Sequence, residues 1–181
     1  MTEELEFSYE LRIPEERIAV LIGTEGKTKK EIEEATHSTL MITKDGEVTI
    51  TGNEALELYT TREIVRAVAR GFNPKVALHL LKPDYTLEII DLSEVVGKNK
   101  NMLERLKGRL IGTKGKAQRE IQRLAEVSLA IYGKTIGIIG MVEQVQTARQ
   151  AIEMLIRGSM HKTVYQFLEK KKKELLAQSY S

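Results

Sequence analysis

Apolar and polar residues alternate in EFSYELRI (Glu6 to Ile13) and again in YTLEIID (Tyr85 to Asp91), the two-residue period of a strand with one face against a core. Behind the first strand the apolar spacing lengthens. Ile18, Leu21 and Ile22 recur at intervals of three and four, so a short helix is expected from Pro14 and Glu15, residues that suit a first turn. Lys27 to Thr36 and Lys116 to Glu126 read as helices that turn Ile32, Ile121 and Leu124 inward. β-prone runs come next, at Ser38 to Thr43 and Ser128 to Tyr132. Asp45 and Gly46, flanked by Met41, Ile42 and by Val48, Ile50, mark a tight hairpin, and Tyr132 and Gly133 occupy the corresponding bend. A long helix closes each series. One runs from Asn53, a good N-cap, to Arg70, with Gly71 past its end and Pro74 stopping continuation; the other is Met141 to Arg157, followed by Gly158. A last helical run, Ser159 to Gln178, carries Tyr165, Leu168, Leu175 and Leu176 on one side.

Strand, helix, helix, strand, strand, helix therefore occurs twice, and the residues agree with the outline. LIGTEGKTKKEI at 21–32 returns as LIGTKGKAQREI at 110–121, and the next strand-ending glycine follows the motif by 26 residues in one copy (Gly52) and 25 in the other (Gly140). Two homologous α+β domains are implied, each a three-stranded antiparallel sheet covered by helices on one face. Their expected limits are 1–71 and 85–158. Residues 72–84 join them, with Val76, Leu78, Leu80 and Leu81 predicting packed structure, and 159–181 form a C-terminal helix and tail. Strand and motif are 10 residues apart in copy one (Ile13 to Gly23) and 20 in copy two (Leu92 to Gly112).

With 181 residues and 41% hydrophobic side chains the chain can build a core, and the absence of Cys excludes disulfides. The 23 Glu against 3 Asp, with 17 Lys, lean toward a heat-adapted composition. No apolar run approaches the roughly 20 residues needed to cross a bilayer, and the acidic start MTEELEFSYE lacks the features of a signal peptide. A cytoplasmic monomer is expected, without membrane attachment. The net charge of +2 hides an asymmetry: the first 84 residues hold 11 Lys and Arg against 16 Asp and Glu, the remaining 97 hold 17 against 10.

Helices joined through Gly-x-x-Gly make a turn that a ligand can approach closely, because neither glycine carries a Cβ. The second helix starts there with free N–H groups, which favour an anion such as a nucleic-acid phosphate. IGTEGKTKKEIEEATHSTLMI and IGTKGKAQREIQRLAEVSLAIYG, in this setting, resemble the KH RNA-binding domain of type I topology, over nearly the whole chain. The resemblance implies two tandem KH domains and a Gly-x-x-Gly loop that clamps about four nucleotides of single-stranded RNA. In copy two it places Gly112, Thr113, Lys114 and Gly115 under the phosphates and Leu110, Ile111, Ile121, Leu129 and Ile131 along the groove. RGFNPKVALHLL at 70–81 and GRLIGTKGKAQREIQRLAEVSLAIYGKTIGIIG at 108–140 are similar to archaeal members of the "partner of Nob" family. That resemblance implies small-subunit ribosomal RNA near its 3′ end, a PIN-domain endonuclease and assembly or translation factors as partners.

Charge separates the copies. Nine basic residues lie between Lys98 and Arg123, among them Arg109, Lys114, Lys116, Arg119 and Arg123, against Glu104 and Glu120. Copy two is thus expected to carry most RNA binding. In copy one the candidate site is Ile22, Gly23, Thr24, Glu25, Gly26, Lys27 and Lys30, and Glu25 puts an acid where phosphate passes; five basic and six acidic residues share Arg12 to Thr36. That copy is expected to bind RNA more weakly, or to serve a protein partner. Gly26, Lys27 and Thr28 spell the end of a P-loop, but Leu21 stands where its first Gly is needed. His37, His79 and His161 lie far apart without Cys, so no metal or other cofactor is expected. No pattern of catalytic side chains suggests an enzyme. The competing function class is a protein-interaction scaffold in which RNA binding is secondary.

Overall fold

The computed structural model describes residues 6–180; the expected domain ends at residues 1–5 and at 181 lie outside them. The chain divides into two compact units between Pro83 and Asp84. In the first, β1 (Phe7–Arg12) leads into α1 (Glu15–Ile22), the Gly23–Gly26 turn and α2 (Lys27–Thr36). β2 (Thr39–Ile42) and β3 (Glu47–Gly52) follow as a hairpin, and α3 (Ala55–Ala69) returns across the sheet. The strands pair antiparallel in the order β1-β3-β2, so the last strand is central, with Tyr9 opposite Ile50 and Leu40 opposite Ile50. Alternate residues of β2 and β3, Leu40, Val48 and Ile50, turn into the core and meet Leu21, Ile32, Leu58 and Ile64 from the helices.

α3 begins at Ala55 with Glu54, not Asn53, in the capping position, and no side chain caps it. β3 runs on to Gly52, so two residues are needed to reverse direction before the helix can start, and Asn53 lies in that bend. The asparagine that caps a helix here is Asn73. Its side chain accepts from the Lys75 N–H at 2.9 Å and starts α4 (Pro74–Ala77), which a 3-10 turn at Leu78–Leu81 continues. Phe72, Ala77 and Leu80 are buried there and the segment packs on α3.

The second unit repeats the order with β4 (Tyr85–Asp91), β5 (Ser128–Tyr132) and β6 (Thr135–Met141) in the antiparallel order β4-β6-β5. The ten extra residues form a one-turn helix α5 (Ser93–Val96), a reversal at Gly97 (φ 55°), and a longer α6 (Lys100–Ile111) capped by Asn99, which accepts from the Met102 N–H at 3.0 Å. α7 (Lys116–Ala125) and α8 (Val142–Ile156) cover the sheet over a core that includes Ile121, Leu129, Ile136, Ile138 and Ile152. α9 (His161–Ser179) packs along α7 and α8 through Val164 and Leu168, both fully buried, each burial worth about 1.5–3 kcal/mol. Leu176, expected on that packed side, is half exposed.

Candidate nucleic-acid interface

α6 ends where the Gly112 N–H donates to the Gly108 carbonyl at 2.8 Å. Gly112 then takes φ 73°, ψ 176°, a region that L side chains do not enter, and a Cβ there would stand 2.7 Å from that of Ala117. Lys114 (φ 53°, ψ 32°) and Gly115 (φ 73°, ψ 15°) are both left-handed, and α7 starts at Lys116 without any side-chain cap. The Lys116 N–H donates to the Thr113 carbonyl, and no side chain reaches back to cap the start of the helix, the end that favours an anion. The turn of copy one repeats this geometry: Gly23 at φ 75°, ψ 173°, Glu25 at φ 55°, ψ 27°, Gly26 at φ 74°, ψ 13°, and an uncapped α2. One backbone device is built twice, with a cation at the tip in one copy and a carboxylate in the other.

The basic residues around the copy-two turn divide by partner. Thr113, Lys114 and Lys116 are exposed at the start of α7. Arg119 folds back, donating from Nη1 to the Lys114 carbonyl at 2.7 Å, so it braces the turn. Arg123 is paired with Glu120 through contacts of 2.5 and 3.2 Å. The bound guanidinium holds the Glu120 carboxyl below the usual carboxylate range, and the same hydrogen bond raises Arg123. Arg109 faces α9: Nη2 donates to the Ser159 carbonyl at 2.6 Å, and His161 Nε2 lies 2.8 Å from the Arg109 carbonyl.

The expected aliphatic wall also divides. Leu110 (2% exposed), Ile121 (0%) and Leu129 (8%) belong to the core behind the turn, while Ile111 and Ile131 are half-buried and reach the surface. Gln118 and Gln122, absent from the expected site, fasten α7 to β5: Gln118 Nε2 donates to the Leu129 carbonyl at 3.2 Å and Gln122 Oε1 accepts from the Leu129 N–H at 2.9 Å. In copy one, Glu33 Oε1 accepts from the Leu40 N–H at 2.7 Å. The matched offset of Gln122 and Glu33 in the repeat was the available signal.

In copy one, Ile22 is half-buried, Thr24 and Glu25 are exposed, Lys27 is exposed, and Lys30 lies 3.8 Å from Glu34. Lys29 is likewise 3.8 Å from Glu33, so carboxylates already offset the cations near this turn. Among the described residues no group of three His, Asp or Glu side chains is gathered for a metal, and no helix is long and apolar enough to cross a membrane.

A family model described as a eukaryotic type KH domain, KH type I, matches residues 86–173, and the KH domain model matches residues 8–64. A KH domain-containing protein of Methanocaldococcus jannaschii is 43% identical over 169 residues, 91% of this chain and 74% of that protein. The pre-rRNA-processing protein PNO1 of Chaetomium thermophilum is 30% identical over 117 residues, 62% of this chain but 44% of its own length, so the chain matches under half of that larger relative. Among solved structures, a protein of unknown function from Aeropyrum pernix is similar with a TM-score of 0.92 at 33% identity, over 97% of this chain and 96% of that one. The a/eIF2alpha–aDim2p–rRNA complex from Pyrococcus horikoshii contains a chain similar with a TM-score of 0.89 at 42% identity, over 95% of this chain and 97% of that one.

Proposed function

Because this chain belongs to the KH-domain proteins of the PNO1 and Dim2 type, we propose that it binds single-stranded small-subunit ribosomal RNA near the 3′ end during ribosome biogenesis, chiefly through copy two. It works as a binding protein in the cytoplasm, and copy one meets a protein partner, a PIN-domain endonuclease or a translation or assembly factor. The observation that carries this reading is the pair of turns with one backbone and opposite tips, Lys114 and Glu25. The positive end of an uncapped helix N-terminus attracts phosphate in both copies, but only Lys114 adds to that attraction; Glu25 opposes it.

Replacing Thr113 and Lys114 by Asp places two carboxylates where the phosphate sits. Binding of a single-stranded ribosomal RNA fragment, followed by fluorescence anisotropy, is expected to collapse, with the fold intact because both side chains are exposed. Thr24→Asp in copy one is expected to change RNA affinity far less. Removing one phosphate from the bound set lowers the slope of log affinity against log salt by roughly 0.7 for a single strand. Equal weakening by both variants would assign the RNA to the wrong copy.

A further inference from the structure

Beside the Gly112–Gly115 turn, α6, α7 and the start of α9 enclose a depression of about 680 Å³. Arg105, Gly108 and Arg109 line it from one stripe of α6, Lys116 from the start of α7, and His161 and Tyr165 from successive turns of α9. Gly108 leaves its floor bare, since nothing lies within 4 Å of where a Cβ would stand. Among the described residues three cations line this space and no carboxylate does. The Nε of Arg109 is buried without a hydrogen-bond partner among the described residues, while its Nη2 donates to the Ser159 carbonyl. Positive charge beside an aromatic wall is the chemistry that holds a nucleotide by phosphate and base.

The repeat provides an internal control. Where copy two has Arg105, Gly108 and Arg109, the aligned positions of copy one are Glu16, Ala19 and Val20, and the four-residue α4 stands where copy two has the long α9. The turn is duplicated; the side chains that line the depression are not. Thr113 and Lys116 border both, so a strand crossing the turn continues into the depression without a gap.

We propose that this depression is a second RNA subsite, which takes the phosphate and base of a nucleotide adjacent to those at the turn and makes α9 part of the RNA-binding surface. The inference rests on the RNA-binding reading above. Arg105 is the handle for testing it, being exposed. Anisotropy titrations of the full chain compare single-stranded RNAs of about four nucleotides, the span of a KH groove, with RNAs of about eight. The unaltered protein is expected to bind the longer RNA more tightly. Arg105→Glu is expected to remove that gain, roughly tenfold for one phosphate contact with its stacked base, while affinity for the short RNA stays the same and Arg105→Lys keeps most of the gain. Equal weakening of both lengths, no weakening of either, or no length dependence in the unaltered protein overturns the subsite alone. Failure of the unaltered protein to bind either RNA overturns the subsite together with the reading it rests on.

Discussion

Lys114 is a lysine held in a left-handed conformation, which costs a residue with a Cβ roughly 1–2 kcal/mol. Glycine there would relieve this at an entropic cost of about 0.5–1 kcal/mol, leaving a net stabilisation on the order of 0.5 kcal/mol. The backbone carbonyl that Arg119 binds would remain. Lys114→Gly is therefore expected to melt at a slightly higher temperature and yet bind RNA more weakly, both measured on one preparation. A variant that loses stability would mean that the lysine side chain supports the turn, and the strain argument would be wrong. Residue types alone did not separate Lys114 and Lys116, which face outward, from Arg119 and Arg123, whose guanidiniums are engaged by a carbonyl and by Glu120.

At the scale of elements, alternation and repeat spacing together were enough to locate the six strands of the described residues: β3 alternates in burial, whereas β6 is buried along nearly its whole length and is legible only through its counterpart in the repeat. Burial and long-range neighbours were not legible in the same way, for physical reasons. Leu110 and Ile121 sit at helical spacing beside the glycines, and a period of 3.6 identifies an apolar face without saying whether that face meets a core or a ligand; here it meets the core. The residues that α9 brings beside the turn were hidden for another reason. His161 and Tyr165 are about fifty residues from the motif, and only the packing of α9 on α7 brings them to it. Tyr165 also reports on that packing. Burial pushes its phenol above the ordinary value of 10.0, and the Glu120 carboxylate adds to the shift. A folded-state value above the unfolded one stabilises the fold fully below pH 10.0, and this contribution is lost as pH rises through the folded value. Denaturant unfolding from neutral pH into the alkaline range is expected to show wild-type stability falling more steeply above pH 10.0 than that of Tyr165→Phe, which has no phenol to ionise. Parallel decline of the two proteins would count against a partly buried phenol in the docked helix.

For the molecule as a whole, the lopsided charge distribution acquires a location. The excess of Lys and Arg in the second unit gathers on the helices around the Gly112–Gly115 turn, while in the first unit Glu25 and the carboxylates beside Lys29 and Lys30 occupy the same neighbourhood. Since the backbone of both turns is alike, the proposed division of RNA binding between the copies rests on charge. Glu25→Lys is expected to raise overall affinity for a long single-stranded RNA and to steepen its salt dependence, by roughly 0.7 in the log–log slope for one added phosphate contact. An unchanged slope would show that copy one is barred from RNA by something other than the carboxylate.

The duplicated turn also has a genetic side. Glutamate and lysine codons differ only in their first base, so a single transition exchanges the tip residue of copy one without altering any glycine or the backbone dihedrals of the loop. A residue already tolerated in the left-handed conformation at Lys114 meets no new steric barrier at Glu25. Mutation therefore has ready access to a phosphate-attracting tip in copy one.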